Sequence, residues 1–108
     1  MVIMNAENLF SHIPEVAETE LFEDIIKGTQ VRIERIVSFG QSSPVSGWYD
    51  QEQNEWVIVL RGSGVLEFVD GRIVHLNAGD HINIPARQKH KVLATSLEEP
   101  TVWLAVFY

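Results

Sequence analysis

Six side chains in this sequence have the types and spacing to do chemistry together. Trp48-Tyr49-Asp50-Gln51 sets two aromatic rings beside a carboxylate and an amide, Glu55 follows closely, and His90 comes later in the chain. Aromatic faces grip a small organic molecule by stacking, and polar neighbours orient it with directed hydrogen bonds. A carboxylate and an imidazole add acid–base exchange and the coordination of a divalent cation. A carboxylate held in an apolar interior is costly unless it is paired, hydrogen-bonded or cation-bound, and His90 is the natural partner for Glu55.

The elements that must position these residues are short strands. Glu20 to Ile26 and Val31 to Ser38 are rich in β-branched residues and flank Lys27-Gly28-Thr29-Gln30, which reads as a hairpin. After the small, polar connector Phe39 to Gly47, strand-like runs follow at Trp48 to Gln51, Trp56 to Arg61, Gly64 to Val69, Arg72 to Leu76, His81 to Ile84, His90 to Thr95 and Thr101 to Tyr108. Asp70-Gly71 suits a tight type I′ turn, and Asn77 to Asp80 offers another. Alternation places Glu55, Val57 and Val59 on one strand face, and Ile82 and Ile84 on one face of another. Arg35 interrupts the Val31, Ile33, Val37 alternation; it either reaches inward toward Glu55 or an anionic ligand or, as expected here, sits at a solvated edge. Ser11 to Glu15 is expected to start a short helical turn. Regularly spaced strands with few helix signals imply an all-β sandwich or closed barrel, with residues 1–19 as an N-terminal arm and 20–108 as a single domain.

Composition narrows the functions. With 108 residues and 45% apolar content the chain supports one core. No apolar run approaches the roughly 20 residues needed to cross a bilayer, and the first residues lack the basic segment of a secretory signal, so a cytoplasmic protein without a membrane partner is expected. The absence of cysteine removes disulfides, thiolate metal sites and cysteine nucleophiles. A net charge of −7, with six carboxylates and no Lys or Arg from Met1 to Ile26, argues against nucleic acid. There is no G-x-S-x-G elbow and no phosphate-cradling glycine-rich loop. His12, His75 and His81 are expected at exposed positions or subunit contacts, and Trp103, Phe107 and Tyr108 in the core or at a dimer surface.

Two stretches resemble the paired motifs of the cupin superfamily. Glu55 and Gly62 keep the E-x6-G spacing of the first motif, and Gly79, Pro85 and His90 fall in register with the second, where Arg87 and Ala94 replace the motif glycine and asparagine. The resemblance implies a jelly-roll β-barrel of short antiparallel strands, often dimeric. It also implies a divalent metal, Fe, Mn, Ni or Zn, held by two His and a Glu from the first motif and a His from the second. This chain keeps the Glu and the last His. The two missing histidines correspond to Trp48 and Asp50 in one register and to Tyr49 and Gln51 in the other, and the sequence leaves both open. The first register makes Asp50, Glu55 and His90 a carboxylate-rich metal set; the second surrounds Glu55 with Tyr49, Gln51 and His90 as a hydrogen-bonding quartet. The expectation is a small-molecule pocket lined by Trp48, Tyr49, Asp50, Gln51, Glu55 and His90, in a homodimeric binding or sensing protein. The alternatives are a metal-dependent cupin enzyme of oxygenase, isomerase or lyase type, and a structural barrel without ligand.

Overall fold

The computed structural model describes residues 4–108, and eight antiparallel strands account for its regular structure. They are β1 (Leu21–Lys27), β2 (Arg32–Ser38), β3 (Glu55–Arg61), β4 (Ser63–Phe68), β5 (Ile73–Asn77), β6 (His81–Ile84), β7 (His90–Thr95) and β8 (Thr101–Phe107). Strands β1-β2-β8-β3-β6 form one sheet and β5-β4-β7 the other. The two face each other in an all-β jelly roll, but their ladders stay separate, so the barrel is not closed by a continuous ring of hydrogen bonds. Among the described residues there is no α-helix, and hence none long and apolar enough to cross a membrane. The helical turn expected near Pro14 does not form; the arm makes a turn around Leu9 to His12 instead.

Alternation builds the core. Val57 and Val59 of β3, Leu66 and Phe68 of β4, Leu76, Ile84, and Trp103, Ala105 and Phe107 of β8 meet between the sheets. The large Trp103 ring needs an opposing residue with no side chain, and Gly64 supplies it: a Cβ there would stand 2.2 Å from the ring. The indole N–H donates to Ser38 Oγ at 3.1 Å, which fixes the ring's angle.

The β4–β5 hairpin differs from the tight turn expected of Asp70-Gly71. Phe68 N–H donates to Arg72 O and Gly71 N–H to Phe68 O, each at 2.9 Å, which leaves Val69, Asp70 and Gly71 as a three-residue loop. Only Gly71 has a positive φ, 94°, whereas a type I′ turn requires it at both central residues. The short strand expected over Trp48 to Gln51 shrinks to one bridge between Tyr49 and His90.

The largest departure concerns β2. Its Ile33, Arg35 and Val37 face away from the interior, and Arg32, Glu34 and Ile36 face inward. Arg35 takes neither position considered for it. It is buried at 5% exposure beneath the arm, where it donates to Leu9 O at 2.9 Å, to Ser11 O at 2.8 Å and to Glu23 at 2.5 Å.

Candidate functional site

Between the sheets lies a cavity of about 300 Å³, at the lower end of the size range for small-ligand sites. Its apolar walls include Ile36, Val57, Leu66, Ile84, Val92, Trp103 and Phe107, so water gains little there and an organic molecule gains much. Its polar groups fall into two sets. Tyr49, Gln51, Glu55 and His90, with Ser43 beside Tyr49, form one; Arg32 and Glu34 of β2 form the other.

The first set is assembled by three separate pieces of chain. Glu55 opens β3, opposite Ile84 of β6 and Phe107 of β8, and is 8% exposed. His90 opens β7 and is 4% exposed. The loop residue Tyr49 is bound to His90 by two backbone hydrogen bonds, of 2.7 and 3.1 Å. That bridge gives the loop a strand's alternation, so Tyr49 and Gln51 point into the cavity while Trp48 and Asp50 point away from it. Trp48 packs under Lys91, whose Nζ stands 4.4 Å from the ring centroid. Asp50 pairs with Arg87, its Oδ1 3.1 Å from Nε.

Hydrogen bonding then joins the set. His90 Nε2 stands 3.3 Å from Glu55 Oε1, and Gln51 Nε2 donates to the same oxygen at 3.0 Å. His90 Nδ1 lies 2.9 Å from Gln88 O; a carbonyl only accepts, so Nδ1 carries a proton. With Nδ1 protonated, the Nε2 contact becomes an ion pair with Glu55 when His90 carries its second proton. Burial works against a charged His90, but the Glu55 hydrogen bond, the Gln88 carbonyl and the Glu55 charge together outweigh it and raise the imidazole above its usual range. Burial likewise pushes the Tyr49 hydroxyl up, a hydrogen bond with Ser43 opposing and the charges of Glu20, Glu55 and Glu34 adding to the rise.

The sequence reading missed the second set. Arg32 lies with its guanidinium 4.3 Å above the Phe107 ring centroid. Glu34 shares its face; burial raises the carboxyl's pKa, Arg32 opposes the rise, and the charges of Asp24 and Glu55 add to it. A signal existed in the alternation Arg32-x-Glu34-x-Ile36, but the apolar Ile33 and Val37 between them favoured the opposite face as the buried one.

A cupin domain family model matches residues 35–107. The chain belongs to the cupin family. A search of curated proteins gave no match. Among solved structures, this cupin is 40% identical to a "putative mannose-6-phosphate isomerase" from Ralstonia eutropha JMP134, with a TM-score of 0.90 over 96% of this chain and 97% of that one. It superposes with a TM-score of 0.73 on a cupin superfamily protein of Desulfitobacterium hafniense DCB-2, at 19% identity over 88% of this chain and 82% of that one. The EutQ protein of Clostridium difficile matches with a TM-score of 0.66 at 17% identity, over 82% of this chain and 67% of that one. The last two likenesses concern the fold alone.

The cupin family implies a divalent metal, and the cavity's donors can be tested against one. The structure turns Tyr49 and Gln51 into the cavity, which accords with the register in which they correspond to the missing histidines. An amide and a phenol are poor substitutes for two imidazoles toward Fe, Mn, Ni or Zn. Gln51 and His90 both direct their N–H groups at Glu55 Oε1, where a ligand set would direct lone pairs at a cation. Asp50 is drawn off by Arg87, so the structure does not bring it to Glu55 and His90, and among the described residues no three His, Cys, Asp or Glu side chains converge. The donor set does not fit a metal; Glu55 has the imidazole of His90 and the amide of Gln51 as its partners instead.

Proposed function

We propose that this cupin binds a small organic molecule in the cavity between its sheets, as a binding or sensing protein. The observation that carries the reading is the union of an apolar cavity of about 300 Å³ with a preassembled quartet of Tyr49, Gln51, Glu55 and His90 at its wall. Gln51 and His90 are held by Glu55 before any ligand arrives, so little ordering entropy is spent on binding. Glu55 Oε1 is already engaged, which leaves the second oxygen to accept from a hydroxyl. The Tyr49 hydroxyl adds a donor that stays protonated.

A thermal-shift screen of metabolites tests this. Stabilisation by a ligand is expected in the unmodified chain and is expected to shrink in Tyr49→Ala and in Glu55→Gln; a hit whose stabilisation both substitutions leave unchanged places the binding site elsewhere and defeats the reading.

A second reading is an isomerase-like enzyme. Two observations favour it: the carboxylate–imidazole pair of Glu55 and His90, which is the equipment for moving a proton on a bound substrate, and the name of the Ralstonia relative. Isomerisation of mannose 6-phosphate by the purified chain, lost in His90→Ala, would support it; turnover unchanged in that variant would remove it. A homodimer is proposed as well, because β1 is an edge strand with Phe22, Ile25 and Ile26 exposed. Light scattering that returns the mass of one chain would refute it.

A further inference from the structure

We infer that Arg32 is an anion-binding residue of the cavity, so that the molecule it accepts carries a carboxylate or phosphate group. This rests on reading the cavity as a small-molecule site and names the class of its ligand.

Three observations converge on Arg32. First, it lines the cavity, on the inward face of β2. Second, its guanidinium lies against the Phe107 face. Stacking engages the faces of the planar group and leaves its N–H donors free in the plane, held in one orientation for a two-oxygen partner. Third, no nitrogen of its side chain has a hydrogen-bond partner among the described residues, and Nε is buried as well; Arg35 Nε and Asp50 Oδ1 are also buried and unpartnered, but their side chains are paired through other atoms. Buried donors are nearly always satisfied, so an orphan on a cavity wall points to a partner that arrives with the ligand.

The other charged groups leave this position to Arg32. Arg35 is taken up by Glu23 and two carbonyls, Arg72 by Asp70, and Arg87 by Asp50. His90 spends its two ring nitrogens on Glu55 and Gln88. Glu34 shares a strand face with Arg32 but forms no ion pair with it among the described residues, and burial makes that carboxyl hold its proton more tightly. A net charge of −7 repels anions at long range, so the attraction has to come from direct contact. A rigid, partly desolvated guanidinium supplies such contact.

The test titrates the full chain with inorganic phosphate, with acetate and with uncharged glycerol. It follows the arginine Nε–H resonances by NMR together with thermal stability. The Arg32 signal, identified by its loss in Arg32→Gln, is expected to move saturably with an anion and to ignore glycerol. Saturation by phosphate alone identifies a phosphate ligand, and saturation by acetate a carboxylate. Arg32→Gln is expected to weaken anion binding by about tenfold or more, and Arg32→Lys, a cation without the planar fork, by less. Glu34→Gln is expected to tighten it by removing a like charge. The inference is overturned if no anion moves the Arg32 signal, if Arg32→Gln binds anions unchanged, or if Glu34→Gln weakens them. An uncharged molecule whose binding depends on Tyr49 but not on Arg32 would sink this inference alone and leave the small-molecule site standing.

Discussion

Arg32 and Arg35 sit on one strand and point to opposite sides of the same sheet, and their surroundings differ in kind. Arg35 is sealed under the arm with its terminal nitrogens matched to two carbonyls and a carboxylate, only its buried Nε lacking a partner among the described residues. Arg32 faces the cavity with an aromatic ring beneath it and no hydrogen-bond partner for its buried Nε. A buried charge whose terminal nitrogens are all bonded ties pieces of chain together, whereas one with no bonded nitrogen keeps its capacity for something else. The first arrangement belongs to folding and the second to recognition.

Unfolding measurements should break this symmetry most visibly at Arg35. Arg35→Ala removes three hydrogen bonds, two of them to the arm, and is expected to cost about 3 kcal/mol in urea or thermal unfolding. A loss no greater than that of Arg32→Met would erase the distinction between the two faces.

Next in size is the contrast within the loop. Tyr49→Ala is expected to weaken ligand binding by about 1–2 kcal/mol, measured by calorimetry with a hit from the metabolite screen. Trp48→Ala and Asp50→Ala, whose side chains meet Lys91 and Arg87 outside the cavity, are expected to change it by less than about 0.5 kcal/mol. Equal losses at Tyr49 and Trp48 would mean that the inward–outward alternation does not govern the site.

Arg32→Met should alter stability by under about 1 kcal/mol, since it exchanges an unpaired donor for a side chain of similar length that still covers Phe107. A large destabilisation would make Arg32 a structural residue.

The smallest effect is a pH dependence. His90 has a pKa raised in the folded state, so its pair with Glu55 stabilises fully below the unfolded value of 6.5 and loses that contribution as pH rises through the folded value. The stability gap between the unmodified chain and His90→Gln should therefore narrow with rising pH through that window. In Glu55→Gln the His90 titration, followed by NMR, should move downward, because burial then acts with less opposition. A gap that widens with pH would contradict the pairing of protonated His90 with Glu55.

Much of this was legible in the residue order. β6 and β7 have the expected bounds, β2 nearly so, and Glu55 and His90 meet as their motif positions implied. The two-register ambiguity at residues 48–51 was not resolvable there, because a one-residue shift swaps every inward side chain for its neighbour and both sets contain an aromatic and a polar group. The backbone bridge from Tyr49 to His90 decides between them. Nor could local pattern reveal the face of β2 that lines the cavity. Ile33 and Val37 are apolar as a core face should be, but the arm and Arg35 cover that side.

By itself, then, the order of residues determined a small all-β chain, because strand periodicity and turn residues act over a few neighbours, while the resemblance to the cupin motifs implied the meeting of Glu55 and His90. Only the tertiary structure decided which residues share the cavity with them, which arginine is satisfied, and whether the donors suit a metal or a proton. Those outcomes depend on contacts between segments far apart in the chain, whose geometry no local pattern encodes.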